Sequence, residues 1–175
     1  MDDQRRHPCA YRATIARCAL TLVLLLLTAI APAAPALVLD QSTPARIELR
    51  PHLAVLRDPG ATLDVNGVRA RSRDFTTLGA GRGLNFGYTR DAVWLRLQVH
   101  STVPTASEWR LELDYASLDH AELHDGIGGL QVAGDRVALS ERAIAHRNPV
   151  FALTLAPGES RELLLRARSE GSLTI

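Results

Sequence analysis

Three groups of side chains in this sequence have the types and spacing to engage a ligand. The first is Trp94, Arg96 and Gln98, at alternate positions of residues 92–100 (AVWLRLQVH). An aromatic ring stacks on a flat ligand face, and a guanidinium fork grips carboxylate or hydroxyl oxygens. The second is His146-Arg147-Asn148-Pro149, which offers cations and hydrogen-bond donors just ahead of an apolar stretch. Packing competes with both readings. A tryptophan in a second apolar layer, with a salt-bridged arginine beside it, leaves the same trace, and Arg147 and Asn148 serve equally well by fixing a strand entry. The third group is His120, Glu122 and His124. Two imidazoles and a carboxylate are a zinc-ligand set. At strand rise, however, the outer two lie about 13–14 Å apart, so a solvated strand face is expected and no metal.

Other catalytic patterns are missing. No Gly-x-Ser-x-Gly surrounds a serine, and no spacing sets two carboxylates face to face for glycoside chemistry. Gly79-Ala80-Gly81-Arg82-Gly83 lacks the Lys-Ser/Thr and the strand–helix context of a phosphate loop. The remaining set binds without transforming. The expectation is a non-enzyme with no cofactor, whose ligand touches Trp94, Arg96, His146, Arg147 and Asn148. Tyr88 and Tyr115 are candidates for the same face.

The elements that position these residues have a period of two. Val93, Leu95, Leu97 and Val99 oppose Trp94, Arg96 and Gln98; Leu111 and Leu113 oppose Arg110, Glu112 and Asp114. Phe151, Leu153 and Leu155 form one face of another strand, and Leu163, Leu165 and Ala167 that of a fourth. Shorter strands are expected at 45–49, 52–57, 118–124 and 130–133. Turn residues separate them at Asp58-Pro59-Gly60, Asp125-Gly126, Gly134-Asp135 and Pro157-Gly158. Such spacing, without long amphipathic helices, predicts an all-β antiparallel sandwich. One short helix is expected near Thr62–Ala70, capped by Thr62.

Residues 1–36 decide the compartment. Arg5, Arg6, Arg12 and Arg17 precede a 14-residue apolar run, Cys18–Ala31, and Pro32-Ala33-Ala34-Pro35-Ala36 follows. This is the pattern of a secretory signal peptide, expected to be cleaved after Ala36. The run falls short of the roughly 20 residues of a spanning helix. Residues 37–175 then form one periplasmic domain with 16 arginines against 17 acidic residues and no cysteine, because Cys9 and Cys18 both lie in the leader. Near-neutral charge argues against nucleic acid as a partner. Gly171-Ser172-Leu173-Thr174-Ile175 reads as the start of a strand, so the domain is expected to be truncated at its C-terminus and to lack a closing strand.

Several segments carry a family resemblance: Leu84-Asn85-Phe86-Gly87-Tyr88-Thr89, Ala92-Val93-Trp94-Leu95-Arg96-Leu97, Leu111-Glu112-Leu113-Asp114-Tyr115, Ser140-Glu141-Arg142 with His146-Arg147-Asn148-Pro149, and Arg168-Ser169-Glu170-Gly171-Ser172. In this order they resemble the type 2 extracellular sensor domain of bacterial 7TM-DISM receptors, seven-transmembrane receptors with diverse intracellular signalling modules. The resemblance spans roughly Leu53–Ile175. It implies a jelly-roll domain like carbohydrate-binding modules, which senses a small, carbohydrate-like ligand for a membrane receptor module. The chain departs from the receptor plan in having no seven-helix bundle and no output domain. Two other functions fit the same scaffold: a glycan-processing enzyme, or a non-catalytic protein-interaction module.

Overall fold

The computed structural model describes residues 34–78 and 84–175. Most of the leader, with Cys9 and Cys18, and the glycine-rich stretch at 79–83 lie outside the described residues.

The alternating segments become strands, and their apolar halves turn inward. The central strand β5 (Ala92–Ser101) pairs with β10 (Ser160–Arg168) on one side. On its other side lie β2 (Leu53–Asp58) and, parallel to its far end, β1 (Leu37–Leu39). β3 (Thr76–Thr77) extends the sheet beyond β2, and β7 (His120–His124) with β8 (Leu130–Ala133) extends it beyond β10. The β5–β10 register sets Leu163 opposite Leu97 and Leu165 opposite Leu95. A one-residue slip would turn every one of these leucines to the other face.

Two short ladders cover that inner face. β6 (Ser107–Glu112) pairs with β9 (Val150–Leu155), and β4 (Asn85–Tyr88) with β11 (Ser172–Thr174). Leu111, Phe151, Leu153, Leu155 and Leu173 from these ladders join Val93, Leu95, Leu97, Leu163 and Leu165 in one buried core. Each fully buried side chain of this kind stabilises by about 1.5–3 kcal/mol. The result is the expected all-β sandwich, antiparallel except for the β1–β5 pair.

The outer face of the large sheet is also covered. The one described α-helix, α1 (Val65–Ala70), follows a buried carboxylate: Asp58 accepts hydrogen bonds from the Thr62 and Leu63 amides at 3.1 and 3.0 Å. The cap is Asp64 rather than Thr62. Its extended backbone lets its carboxylate accept from Gly67 N at 2.7 Å, whereas Thr62 is held in the preceding turn. Val68, Phe75, Leu56, Ala54, Leu164 and Trp94 form a second core beneath the helix.

Two further expectations are corrected. Residues 45–49 are not a strand: Ile47 and Leu49 turn toward the core, but the segment joins no ladder. His120, Glu122 and His124 are not a solvated face either. Glu122 lies 3.2 Å from the Arg166 guanidinium, 3.5 Å from His120 and 3.6 Å from His124, all partly buried. The cause is the neighbouring strand β10, which brings Arg166 directly opposite Glu122. Among the described residues no helix is long and apolar enough to cross a membrane.

Candidate functional site

The five expected ligand contacts fall on opposite sides of the large sheet. Trp94 is 1% exposed. Its ring stacks on His124 with centroids 5.7 Å apart, and the Arg166 guanidinium sits 5.7 Å from its centroid. Arg96 lies over the Phe75 ring at 4.5 Å and donates to the Ser72 carbonyl at 2.9 Å. Arg96 therefore straps the segment after α1 to the sheet, and Trp94 is the floor beneath it. Gln98 donates to Glu162 at 2.8 Å. These side chains are committed to one another, and Trp94 does not face solvent. Of the two tyrosines suggested for this face, Tyr88 is 88% exposed and Tyr115 packs against the inner core.

The 146–148 loop lies elsewhere, at the mouth of a cleft between the two layers. His146 lines the cleft. Asn148 is buried, and its amide donates to Glu112 Oε1 at 2.7 Å and Asp114 Oδ1 at 3.1 Å. Its own backbone N–H donates to His146 Nδ1 at 3.1 Å, and Arg142 donates to the His146 carbonyl at 2.8 Å. Arg147 is exposed. The loop is thus a hydrogen-bonded corner that fixes the carboxylates of Glu112, the last residue of β6, and of Asp114 just beyond it.

The cleft is half open to solvent and spans about 900 Å³. Beneath it lies the leucine face of the large sheet, Leu95, Leu97, Leu163 and Leu165, each buried. Trp109 forms part of one wall, with its indole N–H on Ser107 Oγ at 2.9 Å. Charges of both signs ring the mouth. Arg46 reaches Asp114 at 3.7 Å, and Arg50 reaches Glu48 at 3.4 Å. An apolar interior of this size with a few convergent polar groups is the usual form of a small-molecule site. Sequence alternation exposed the faces of 45–49 and 109–113. It carried no signal that these segments border an open space, because that depends on what lies between them.

The described residues thus form a β-sandwich with a cleft between its layers. The profile of the 7TMR-DISM extracellular 2 family matches residues 50–175, and the chain belongs to that family, the extracellular sensor domains of seven-transmembrane receptors. No curated protein matches the chain.

Proposed function

We propose that this domain is a periplasmic sensor that binds a small ligand, without transforming it, in the cleft between its sheets. The observation that carries the reading is the cleft: about 900 Å³, with buried leucines beneath it and paired charges and His146 at its rim. Arg147 and Asn148 belong to this site as its supporting loop, while Trp94 and Arg96 act from the opposite face as the packing that holds the sheet. Carbohydrate-like compounds are the first class to test, with Trp109 as the stacking surface. The receptor's membrane module is the partner that would read the bound state. The Arg-flanked apolar run at 18–31 and the family's extracellular place both support export. A periplasmic protein beginning at Leu37 by mass spectrometry is the expected result.

The binding test is a thermal-shift panel of periplasmic sugars and carboxylates. Leu49, half-buried at the mouth, is replaced by Trp to obstruct the cleft, and Arg96→Ala serves as the outer-face control. A ligand shift abolished by Leu49→Trp and retained in Arg96→Ala is expected. The opposite pattern, with Arg96→Ala still stably folded, would return the site to the outer face.

A further inference from the structure

A second group of charged side chains lies on the outer face of the large sheet, away from the cleft. Glu122 stands opposite Arg166, and Arg166 opposite Trp94, in three neighbouring strands. One carboxylate serves the whole group. Arg166 Nη1 donates to Glu122 Oε1 at 3.2 Å, while His120 Nδ1 lies 3.5 Å from the same oxygen and His124 Nε2 3.6 Å from Oε2. His124 Nε2 is buried against Trp94 and has no hydrogen-bond partner among the described residues. The second arm of Arg166 holds a strained turn: its Nη2 donates to the Ala61 carbonyl at 3.0 Å. Ala61 has φ +55°, a left-handed conformation that a residue with a Cβ adopts only under restraint. Asp58 restrains this turn through the Thr62 and Leu63 amides, and Arg166 restrains it through the carbonyl. α1 follows directly. The other charges around the group add no free acid. From β10, Arg168 lies opposite His120; from β5, Arg96 and His124 flank Leu164 in the ladder, with Arg96 held by Phe75 and the Ser72 carbonyl. Asp58 is engaged with its two amides, Asp119 with Arg136 and the Glu170 amide, and Glu162 with Gln98. β8 has no titratable residue, and α1 turns Val65 and Val68 inward, with Asp64, Arg69 and Arg71 exposed. Among the described residues no cluster of His, Cys, Asp and Glu is placed to hold a metal.

We infer that this group is an acid-operated latch on the α1 segment, in which protonated His120 and His124 draw Glu122 away from Arg166 and so release Ala61. Histidine is the side chain that changes charge across about pH 5–8. With both imidazoles neutral, one carboxylate balances one guanidinium. Each added proton puts a further positive charge beside the same carboxylate, in a partly buried place where unbalanced charge is costly. A small shift of that carboxylate gives His124 Nε2 the partner it lacks, and takes Glu122 off Arg166. Arg166 then stands beside two further cations without its anion, and turns out toward water. The Ala61 turn loses one of its two restraints, and its left-handed backbone favours the release. The element with two arrangements is the segment from Pro59 through α1, packed against the sheet or free of it. This latch is an input separate from the cleft, and it does not depend on what binds there.

The test is amide hydrogen exchange by NMR at about pH 7.5 and about pH 5.5, on either side of the histidine range. Rates are referred to those of an unstructured peptide at each pH, and the histidine ring signals are followed in the same titration. Expected on acidification is a fall of about tenfold in protection at Thr62, Leu63 and Val68, with the midpoint of the His120 and His124 rings and with the β6–β9 amides unchanged. The double variant His120→Gln, His124→Gln should keep its neutral-pH protection in acid. Glu122→Gln should show the low protection at both pH values. An undiminished response in the double variant would assign the effect to His52, His100 or His146 and overturn the latch. If the double variant does not fold, Ala61→Gly decides. Glycine adopts the left-handed turn without strain, so its loss in acid should be clearly smaller than the parent's, and an equal loss would overturn the latch. Unchanged or increased protection of the parent in acid would also overturn it, the carboxylate then serving all three cations at once. So would an equal loss in every strand, which is unfolding of the domain and not release of α1.

Discussion

Replacing Trp94 with Ala separates a structural role from a ligand-binding one. The side chain is 1% exposed and shares its core with Leu56, Val68, Phe75 and Leu164. A tryptophan buries about 200 Å², worth about 5 kcal/mol at about 25 cal/mol per Å². A compact unfolded chain already hides part of that area, which brings the expected cost to about 3–5 kcal/mol, the range for aromatic-to-alanine cavities. Domains of this kind have about 5–15 kcal/mol in all, so Trp94→Ala should lose a large share of the total and unfold at a clearly lower urea concentration. Trp94→Phe keeps a ring but removes the buried indole N–H, which has no partner among the described residues. Relief of an unpaired buried donor, about 1–3 kcal/mol, offsets much of the smaller cavity, so this variant should stay within about 1.5 kcal/mol of the parent. Urea unfolding followed through the remaining tryptophan, Trp109, measures both. A cost below about 1 kcal/mol for Trp94→Ala would refute the packing account. So would a Trp94→Phe variant of parental stability that no longer responds to a ligand bound by the parent.

Leu123→Ala should cost about 2–5 kcal/mol, and Leu97→Ala at least about 1 kcal/mol less, because Leu97 borders the cleft while Leu123 is enclosed; equal midpoints in urea would count against an open cleft. Gly134 has φ +125°, and a Cβ there would run into the Asp119 carbonyl. Gly134→Ala should therefore lose at least about 1–3 kcal/mol, and a parental melting temperature would contradict this backbone geometry. The Glu159 carboxyl is held below its ordinary range, first by the Ala156 N–H at 2.7 Å and then by Arg161. A lowered folded pKa contributes stability that is complete above the unfolded value, about 4.3, and is lost as pH falls through the folded one. Glu159→Gln should thus be less stable at pH 7 and show a flatter fall in melting temperature below pH 5; parallel curves would refute the linkage.

Local chemistry determined much of this protein. Period-two alternation identified β5, β9 and β10 and their buried faces, since a half-buried strand cannot hide its hydrophobicity any other way. Turn residues identified the connections: Asp125 accepts from the Ile127 and Gly129 amides in the expected turn, and Gly158 turns between β9 and β10 at φ +71°. The combination of short motifs from Leu84 to Ser172 identified the family. The sequence also placed the 146–149 loop ahead of β9, where it proved to be a corner of the cleft. Tertiary structure alone decided the rest. Trp94 alternates like a surface residue, yet α1 and Phe75 cover it, because the large sheet is packed on both faces and period two cannot distinguish water from a second layer. His120, Glu122 and His124 are neighbours in one strand, but Arg166 opposite them sets their environment. Residues 45–49 and β6 have the same alternation as any paired strand. Whether such a segment joins a ladder depends on hydrogen bonds to residues far away in the chain, and only the folded arrangement shows that 45–50 and 109–114 line one cleft.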